Sequence, residues 1–139
     1  MGTITINGLV CEFEQGEKIL DVANRCAVEI PQYCYHKGLS VPAQCRICLA
    51  QISAPNPRND GKLELMMGGK LLPTCSTDAA EGMVVTTESE SAVANQKAVM
   101  EFLLINHPLD CPVCDQAGEC TLQDFSYQYG RGHSRFTDQ

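Results

Sequence analysis

Cysteine spacing is the feature that most constrains this chain of 139 residues, which contains nine cysteines. Seven of them, with one histidine, fall into two groups with the spacing of metal ligands. The first group is Cys34, Cys45, Cys48 and Cys75, and the second is His107, Cys111, Cys114 and Cys120. A chain with few aromatic residues has little material for a large core, so bound metal is expected to hold its loops together.

The first group suits a [2Fe–2S] cluster, which needs four thiolates, two for each iron. Cys45 and Cys48 form a CxxC pair, whereas Cys34 lies across an irregular loop and Cys75 comes from a later segment. A zinc site with four cysteines needs the same ligands, but zinc ribbons usually bring two CxxC pairs to one ion. Spacing alone therefore favours a cluster and leaves zinc open.

The second group places a histidine and three cysteines within fourteen residues, from His107 to Cys120. Such a set can bind a [4Fe–4S] cluster in which one iron takes an imidazole ligand. Because neutral imidazole replaces a thiolate, the cluster carries one negative charge fewer, which favours its reduced state. A zinc ion bound by one histidine and three cysteines fits the composition equally well.

Charge and termini narrow the possible classes of protein. The net charge is −7, which argues against nucleic-acid binding because that function needs a basic surface. The first residues show no secretory signal, and no apolar run reaches the ~18 residues of a membrane span. We therefore expect a cytoplasmic location without membrane insertion, where cysteines bind metal more often than they form disulfides.

The pattern of elements predicts an α+β fold. Residues 3–13 read as a hairpin around Asn7-Gly8, residues 18–28 as a helix ended by Pro31, and residues 33–45 as an irregular loop. Strands are predicted over 49–53, 62–66 and 83–87. The best match is a β-grasp sheet with one helix across it, comprising residues 1–88 as a first domain.

A second, mostly helical domain is predicted over residues 89–139. Its first helix is capped by Ser89 or Ser91 and ends before Pro108, and a short helix covers about 121–129. The two remaining cysteines, Cys11 and Cys26, are expected to be small buried apolar residues.

Three further basic residues lie near or beyond the two groups. His36 is expected in a surface loop, and His133 has no predicted partner. Arg46, between two ligands, either offsets cluster charge or is simply exposed to solvent.

The motifs around these ligands resemble one family. Ile30-Pro31-x-x-Cys34-Tyr35-His36, Cys45-Arg46-x-Cys48, His107-Pro108-Leu109-Asp110-Cys111-Pro112-x-Cys114-Asp115 and Gly118-Glu119-Cys120-x-Leu122-Gln123-Asp124 are similar to the large peripheral iron–sulfur subunit of NADH:quinone oxidoreductase, respiratory complex I. The resemblance covers nearly the whole chain and corresponds to the N-terminal region of that subunit. It favours iron over zinc at both sites.

This resemblance implies a ferredoxin-like β-grasp domain followed by a [4Fe–4S] domain with one histidine and three cysteine ligands. The [2Fe–2S] ligands are then Cys34, Cys45, Cys48 and Cys75, and the [4Fe–4S] ligands are His107, Cys111, Cys114 and Cys120. The implied function is one-electron transfer, without a substrate active site in this chain. The implied partners are the other peripheral-arm subunits, including the flavin subunit that binds NADH, at the cytoplasmic face of the inner membrane.

The sequence departs from the family pattern at three places. Residues 54–70 form an insertion before Cys75, and Ala43 and Ala117 stand where glycine is common. The chain also ends at Gln139, where family members continue, so the second domain is expected to lack its C-terminal support.

Two alternative functions remain. One is the same pair of modules in an [FeFe] hydrogenase, an NAD-linked hydrogenase or a formate dehydrogenase. The other is a zinc-stabilised interaction module without a redox role.

Overall fold

The N-terminal hairpin begins a mixed sheet and has the predicted tight turn. In this computed structural model, which describes residues 2–36, 38–56, 58 and 60–131, strand β1 is Gly2–Ile6 and β2 is Leu9–Phe13. Asn7 and Gly8 have φ values of 51° and 86°, as a type I′ turn requires. The Asn7 side chain also accepts a hydrogen bond from the Thr87 backbone at 2.9 Å, which fixes the turn to a distant part of the chain.

Four more strands complete the sheet. They are β3 (Leu49–Asn56), β4 (Lys62–Leu65), β5 (Leu72–Pro73) and β6 (Val84–Thr86). The order is β2-β1-β6-β3-β4, with β5 paired to β3, and β1 and β6 are parallel. The α+β prediction is therefore confirmed. Strand β3 runs to Asn56, three residues beyond the prediction, because Asn56 pairs with Lys62 across the turn.

Helix α1 (Ile19–Arg25) packs its apolar face into the core against the sheet. Ile19, Leu20, Val22 and Ala23 are buried, together with Ile4, Ile6, Ile52 and Val85 from the strands. The prediction of a helix over residues 18–28, ended by Pro31, was wrong at its C-terminal end. Ala27 has a φ of 58°, and Val28 donates a backbone hydrogen bond to the Ala23 carbonyl at 2.9 Å, so a Schellman motif ends the helix earlier.

Two further helices follow the sheet. Helix α2 (Glu90–Leu104) is capped by Ser89, whose hydroxyl accepts a hydrogen bond from the Ala92 N–H at 3.3 Å, as predicted. Helix α3 (Thr121–Tyr129) has the predicted bounds. Tyr33 links α3 to the long loop, because its ring packs edge-on against Phe125 with centroids 5.0 Å apart.

Three further predictions concern membrane spans, His133 and the boundary between the two domains. No helix in the described part of the chain is long and apolar enough to cross a membrane. His133 lies outside the described residues, as does the end of the predicted second domain. The division at residues 88 and 89 stays a prediction.

Replacement of Ala27 by glycine is expected to stabilise the protein. An L-residue in the left-handed region costs about 1–2 kcal/mol, and glycine removes this strain. Glycine also gives the unfolded chain more conformational entropy, which offsets about 0.4–1 kcal/mol of that gain. Ala27→Gly should therefore raise the free energy of unfolding by roughly 0.5–1 kcal/mol in urea titrations.

The control is Ala94→Gly, at an exposed position inside α2, which should lower the same quantity by about 1 kcal/mol. Equal destabilisation by both substitutions would contradict the backbone explanation.

Candidate iron–sulfur sites

The four cysteines of the first group lie in loops at one end of the sheet. Cys34 is in the loop after α1, Cys45 and Cys48 come directly before β3, and Cys75 follows β5. Cys48 and Cys75 are buried, whereas Cys34 and Cys45 are partly exposed. The structure thus places two of these thiols in the core and two at its edge.

These four thiols are arranged as two pairs. The sulfur atoms of Cys34 and Cys45 are 3.4 Å apart. Cys48 and Cys75 are neighbours, because Thr74 bonds to the Cys48 carbonyl and the Cys48 thiol helps to raise the pKa of Cys75. Cys75 also interacts electrostatically with Cys34 and Cys45, so both pairs belong to one site. The insertion at 54–70 does not separate Cys75 from the others, because much of it forms the exposed strand β4 and the 3-10 turn Met66–Gly69.

Cys45 and Cys75 differ in acidity. Burial raises the pKa of Cys45, but backbone hydrogen bonds from Cys34, Ile47 and Tyr33 and a side-chain bond from Cys34 outweigh it, so the pKa is lowered. At Cys75, burial and then the neighbouring Cys48 raise the pKa to about 12. Four thiolates here need a strongly cationic partner, because each disfavours ionisation of the others.

Strained backbone shapes the loop that carries these ligands. Ala43 and Arg46 have φ values of 52° and 60°, a region that costs an L-residue about 1–2 kcal/mol. Ala43 therefore occupies a conformation that glycine adopts more easily. Ala117 is not among the described residues with positive φ, whereas the neighbouring Gly118 has a φ of 87°. The Arg46 side chain is exposed, as is His36.

Polar side chains other than the candidate ligands hold the loops of the first group in place. The buried Thr74 hydroxyl donates to the Cys48 carbonyl at 2.9 Å. Asn95 of α2 donates to the Arg46 carbonyl at 2.7 Å, and the Tyr35 hydroxyl bonds to Asp21 of α1. The sequence did not reveal Thr74 and Asn95, because nothing in their spacing distinguishes them from ordinary threonine and asparagine. Tyr35 is part of the first motif, but its bond to Asp21 was not predicted.

The second group lies between α2 and α3. His107 follows the end of α2, Cys111 begins the 3-10 turn Cys111–Val113, Cys114 ends that turn, and Cys120 is the N-cap of α3. The Cys120 sulfur accepts a hydrogen bond from the Gln123 N–H at 3.4 Å. Cys111 and Cys120 are half-buried, whereas His107 and Cys114 are exposed. Among the described residues, no three histidine, cysteine, aspartate or glutamate side chains converge on a point that could hold a single metal ion.

Tyr33 lies between the two groups. Its hydroxyl reaches the carbonyl of Thr121, next to Cys120, at 3.4 Å. Burial raises the pKa of Tyr33 to about 12, and nearby Cys120 and then Cys45 add to the shift. Tyr33 directly precedes Cys34, and its hydroxyl reaches the residue after Cys120, so the two groups lie close together.

Comparison with known families identifies the kind of site. Residues 1–90 match the model of a 2Fe–2S iron–sulfur cluster binding domain, and residues 96–135 match the NADH-ubiquinone oxidoreductase-G iron–sulfur binding region. The chain belongs to the 2Fe–2S cluster binding family. It therefore has one region for a [2Fe–2S] cluster and a second region for a [4Fe–4S] cluster, as predicted.

Curated relatives agree with both matches. The G subunit of NADH-quinone oxidoreductase from Rickettsia bellii is 37% identical over 96% of this chain and 18% of the relative. The G 2 subunit of the same kind of enzyme from Rhizobium meliloti is 42% identical over 97% of this chain and 14% of the relative. The mitochondrial 78 kDa subunit of NADH-ubiquinone oxidoreductase from Neurospora crassa is 40% identical over 96% and 16%. The predicted resemblance is confirmed, and the chain spans less than a fifth of the length of these relatives.

A solved structure has the same fold. A crystal structure of NAD+-reducing [NiFe]-hydrogenase in the H2-reduced state aligns with 99% of this chain and 54% of its own chain. The TM-score is 0.76 at 23% sequence identity. This degree of likeness establishes a shared architecture.

Removal of the Thr74 hydroxyl should lower the free energy of unfolding, because it breaks a buried hydrogen bond to Cys48. Thr74→Val keeps the shape of the side chain but leaves the buried Cys48 carbonyl with only the longer bond from the Thr74 backbone, at 3.4 Å. The free energy of unfolding should fall by about 1–2 kcal/mol in urea titrations.

The matched control is Thr5→Val in β1, because the Thr5 hydroxyl has no hydrogen bond within the described part of the chain. That substitution should change the free energy of unfolding by less than about 0.5 kcal/mol. A similar loss in both variants would show that the bond to Cys48 is unimportant.

Proposed function

We propose that this chain is an electron-transfer module whose two ligand groups bind the two clusters. Cys34, Cys45, Cys48 and Cys75 hold the [2Fe–2S] cluster in a ferredoxin-like β-grasp domain over residues 1–88. The [4Fe–4S] ligands are His107, Cys111, Cys114 and Cys120, in a small helical domain from residue 89. Iron–sulfur clusters supply one-electron redox chemistry when bound, without breaking bonds in a substrate.

The arrangement of the first four thiols in two pairs is the observation that carries the proposal. A binuclear cluster needs two thiolates at each of two irons, and the pairs Cys34–Cys45 and Cys48–Cys75 match that requirement. A single zinc ion needs all four sulfurs around one point instead. The donor set therefore fits two iron atoms better than one metal ion.

The surrounding residues are suited to protect and tune this site. Backbone hydrogen bonds from Tyr33, Cys34 and Ile47 reach the Cys45 sulfur, and hydrogen bonds to cluster sulfur raise the reduction potential by offsetting negative charge. Burial of Cys48 and Cys75 excludes water from one side. The chain thus supplies both neutralising dipoles and a dry environment.

The position of Tyr33 supports transfer between the two clusters. Tyr33 directly precedes Cys34, and its hydroxyl bonds to the Thr121 carbonyl next to Cys120, which supports a short distance between the two proposed clusters. Electron transfer needs such proximity and no covalent step. The order in which electrons pass the two clusters follows from their potentials.

The wider role belongs to the same proposal. Relatives named as NADH-quinone oxidoreductase subunits support a place in that complex. Electrons would enter from a flavin subunit that binds NADH and leave toward quinone, and the other peripheral-arm subunits would be the partners. The location would be the cytoplasmic face of the membrane that holds the complex.

Metal content tests the ligand assignment. Anaerobically purified protein should contain about six iron atoms per chain and, after dithionite reduction, give EPR signals of both clusters. Cys75→Ser should lose the signal of the [2Fe–2S] cluster and about two iron atoms, because one iron loses a buried thiolate.

Cys120→Ser is the matched variant, and it should lose the other signal and about four iron atoms. Zinc in place of iron in the unaltered protein would refute the proposal and favour the zinc-stabilised module.

His107→Cys tests the role of the imidazole. The substitution replaces a neutral ligand by a thiolate, and the added negative charge disfavours the reduced cluster. The reduction potential of the [4Fe–4S] cluster should fall by roughly 100 mV or more, judged from the effect of two histidines in Rieske centres. An EPR-monitored titration measures it, with the [2Fe–2S] potential as the internal control. An unchanged potential would mean that His107 is not a ligand.

A further inference from the structure

Two cysteines outside both ligand groups are neighbours in space. Cys11 lies in β2 and is 2% exposed, whereas Cys26 follows α1 and is partly exposed. Cys26 packs against the core cluster that contains Cys11, and both cysteines line a cavity of about 350 Å³. The two thiols are close enough to shift the pKa of Cys11. The prediction that both are small apolar core residues describes Cys11 well, but it did not anticipate the contact between the two thiols.

We propose that Cys11 and Cys26 are a redox-active dithiol that forms a reversible intramolecular disulfide by exchange with a low-molecular-weight disulfide such as oxidised glutathione. This site is separate from the clusters and does not depend on the proposed electron-transfer function. The disulfide would join strand β2 to the residue that follows helix α1.

The exchange balances in two steps. The Cys26 thiolate attacks one sulfur of the small disulfide, which forms a mixed disulfide and releases one small thiolate. Cys11 loses its proton to solvent and attacks the Cys26 sulfur, which forms the Cys11–Cys26 bond and releases the second thiolate. The protein loses two electrons and two protons, and the small disulfide is reduced to two thiols.

The order of the two steps follows from exposure and burial. Cys26 is reachable from the cavity, whereas Cys11 is almost completely enclosed. Burial and the neighbouring Cys26 thiol raise the pKa of Cys11 to about 11. Cys11 is therefore a poor first nucleophile, but it is close to the sulfur that it must attack.

Arg25 places a positive charge beside the pair. Its guanidinium lines the same cavity, bonds to the Glu12 carbonyl and donates to the Glu17 carboxylate at 3.1 Å. The Arg25 charge lowers the pKa of Cys11, against the larger effect of burial. It thereby favours the thiolate that the second step needs.

The disulfide is expected to stabilise the folded chain. It would close a loop of about 15 residues, and a cross-link of that size restricts the unfolded state. The two joined segments already touch, so little rearrangement of α1 or β2 is needed. Oxidation should therefore raise the Tm without displacing the ligand loops.

The test uses the anaerobic protein with both clusters bound. It is treated with oxidised glutathione, its free thiols are blocked with N-ethylmaleimide, and its digest is analysed by mass spectrometry. We expect the peptides of Cys11 and Cys26 to be joined, with loss of two hydrogen atoms, unchanged iron content and a higher Tm. Dithiothreitol should reverse each change except the iron content. Both thiols blocked by the maleimide after treatment would overturn the proposal.

Two variants separate the steps. Cys26→Ser should leave Cys11 reduced and abolish the rise in Tm on oxidation. Cys11→Ala should retain glutathione on Cys26, because the resolving thiol is gone. If the buried Cys11→Ala substitution prevents folding, Cys26→Ser alone decides the question. A rise in Tm of the same size in Cys26→Ser would refute the proposal.

Discussion

The rest of the structure depends on bringing the thiols of Cys34, Cys45, Cys48 and Cys75 together at one partly buried end of the sheet. Burial and the neighbouring thiols both oppose ionisation, and together they raise the pKa of Cys75. The protein offsets this effect locally at Cys45 with backbone dipoles. Complete ionisation needs bound cations, so metal binding and the native arrangement of the loops are thermodynamically linked.

The loops around this site lack regular secondary structure and are held in position by hydrogen bonds from neighbouring elements. The segment between α1 and β3 has no helix or strand among its described residues, and it includes two non-glycine residues in the left-handed region near the ligands. Its position is set from outside, by Thr74 next to a ligand, by Asn95 of α2 and by Asp21 of α1. The core of sheet and helix thus works as a rigid frame on which strained loops are fixed.

Much of the frame could be predicted from sequence because its signals are local. The hairpin was predicted from Asn7-Gly8, and the start of α2 was predicted from Ser89. The cysteine spacing predicted the two candidate sites. The predicted end of α1 was wrong because alanine does not normally signal the end of a helix, and the positive φ of Ala27 could not be read from the sequence. Thr74 and Asn95 were missed because their role depends on tertiary contacts, which have no period in the sequence. The ligand assignment itself stays a prediction that the thiol pairs support.

The nine cysteines show how one residue type serves different purposes in different surroundings. The candidate ligands of the first group lie in loops whose backbone N–H groups lower the pKa of Cys45, and these thiols have other thiols as neighbours, which favours metal. Cys11 and Cys26 lie instead between a regular strand and a helix end, beside an arginine and with only two sulfurs in contact. Two sulfurs are too few for a cluster but sufficient for a disulfide. The number of thiols that meet, and the backbone that carries them, therefore distinguishes the two kinds of chemistry within one small chain.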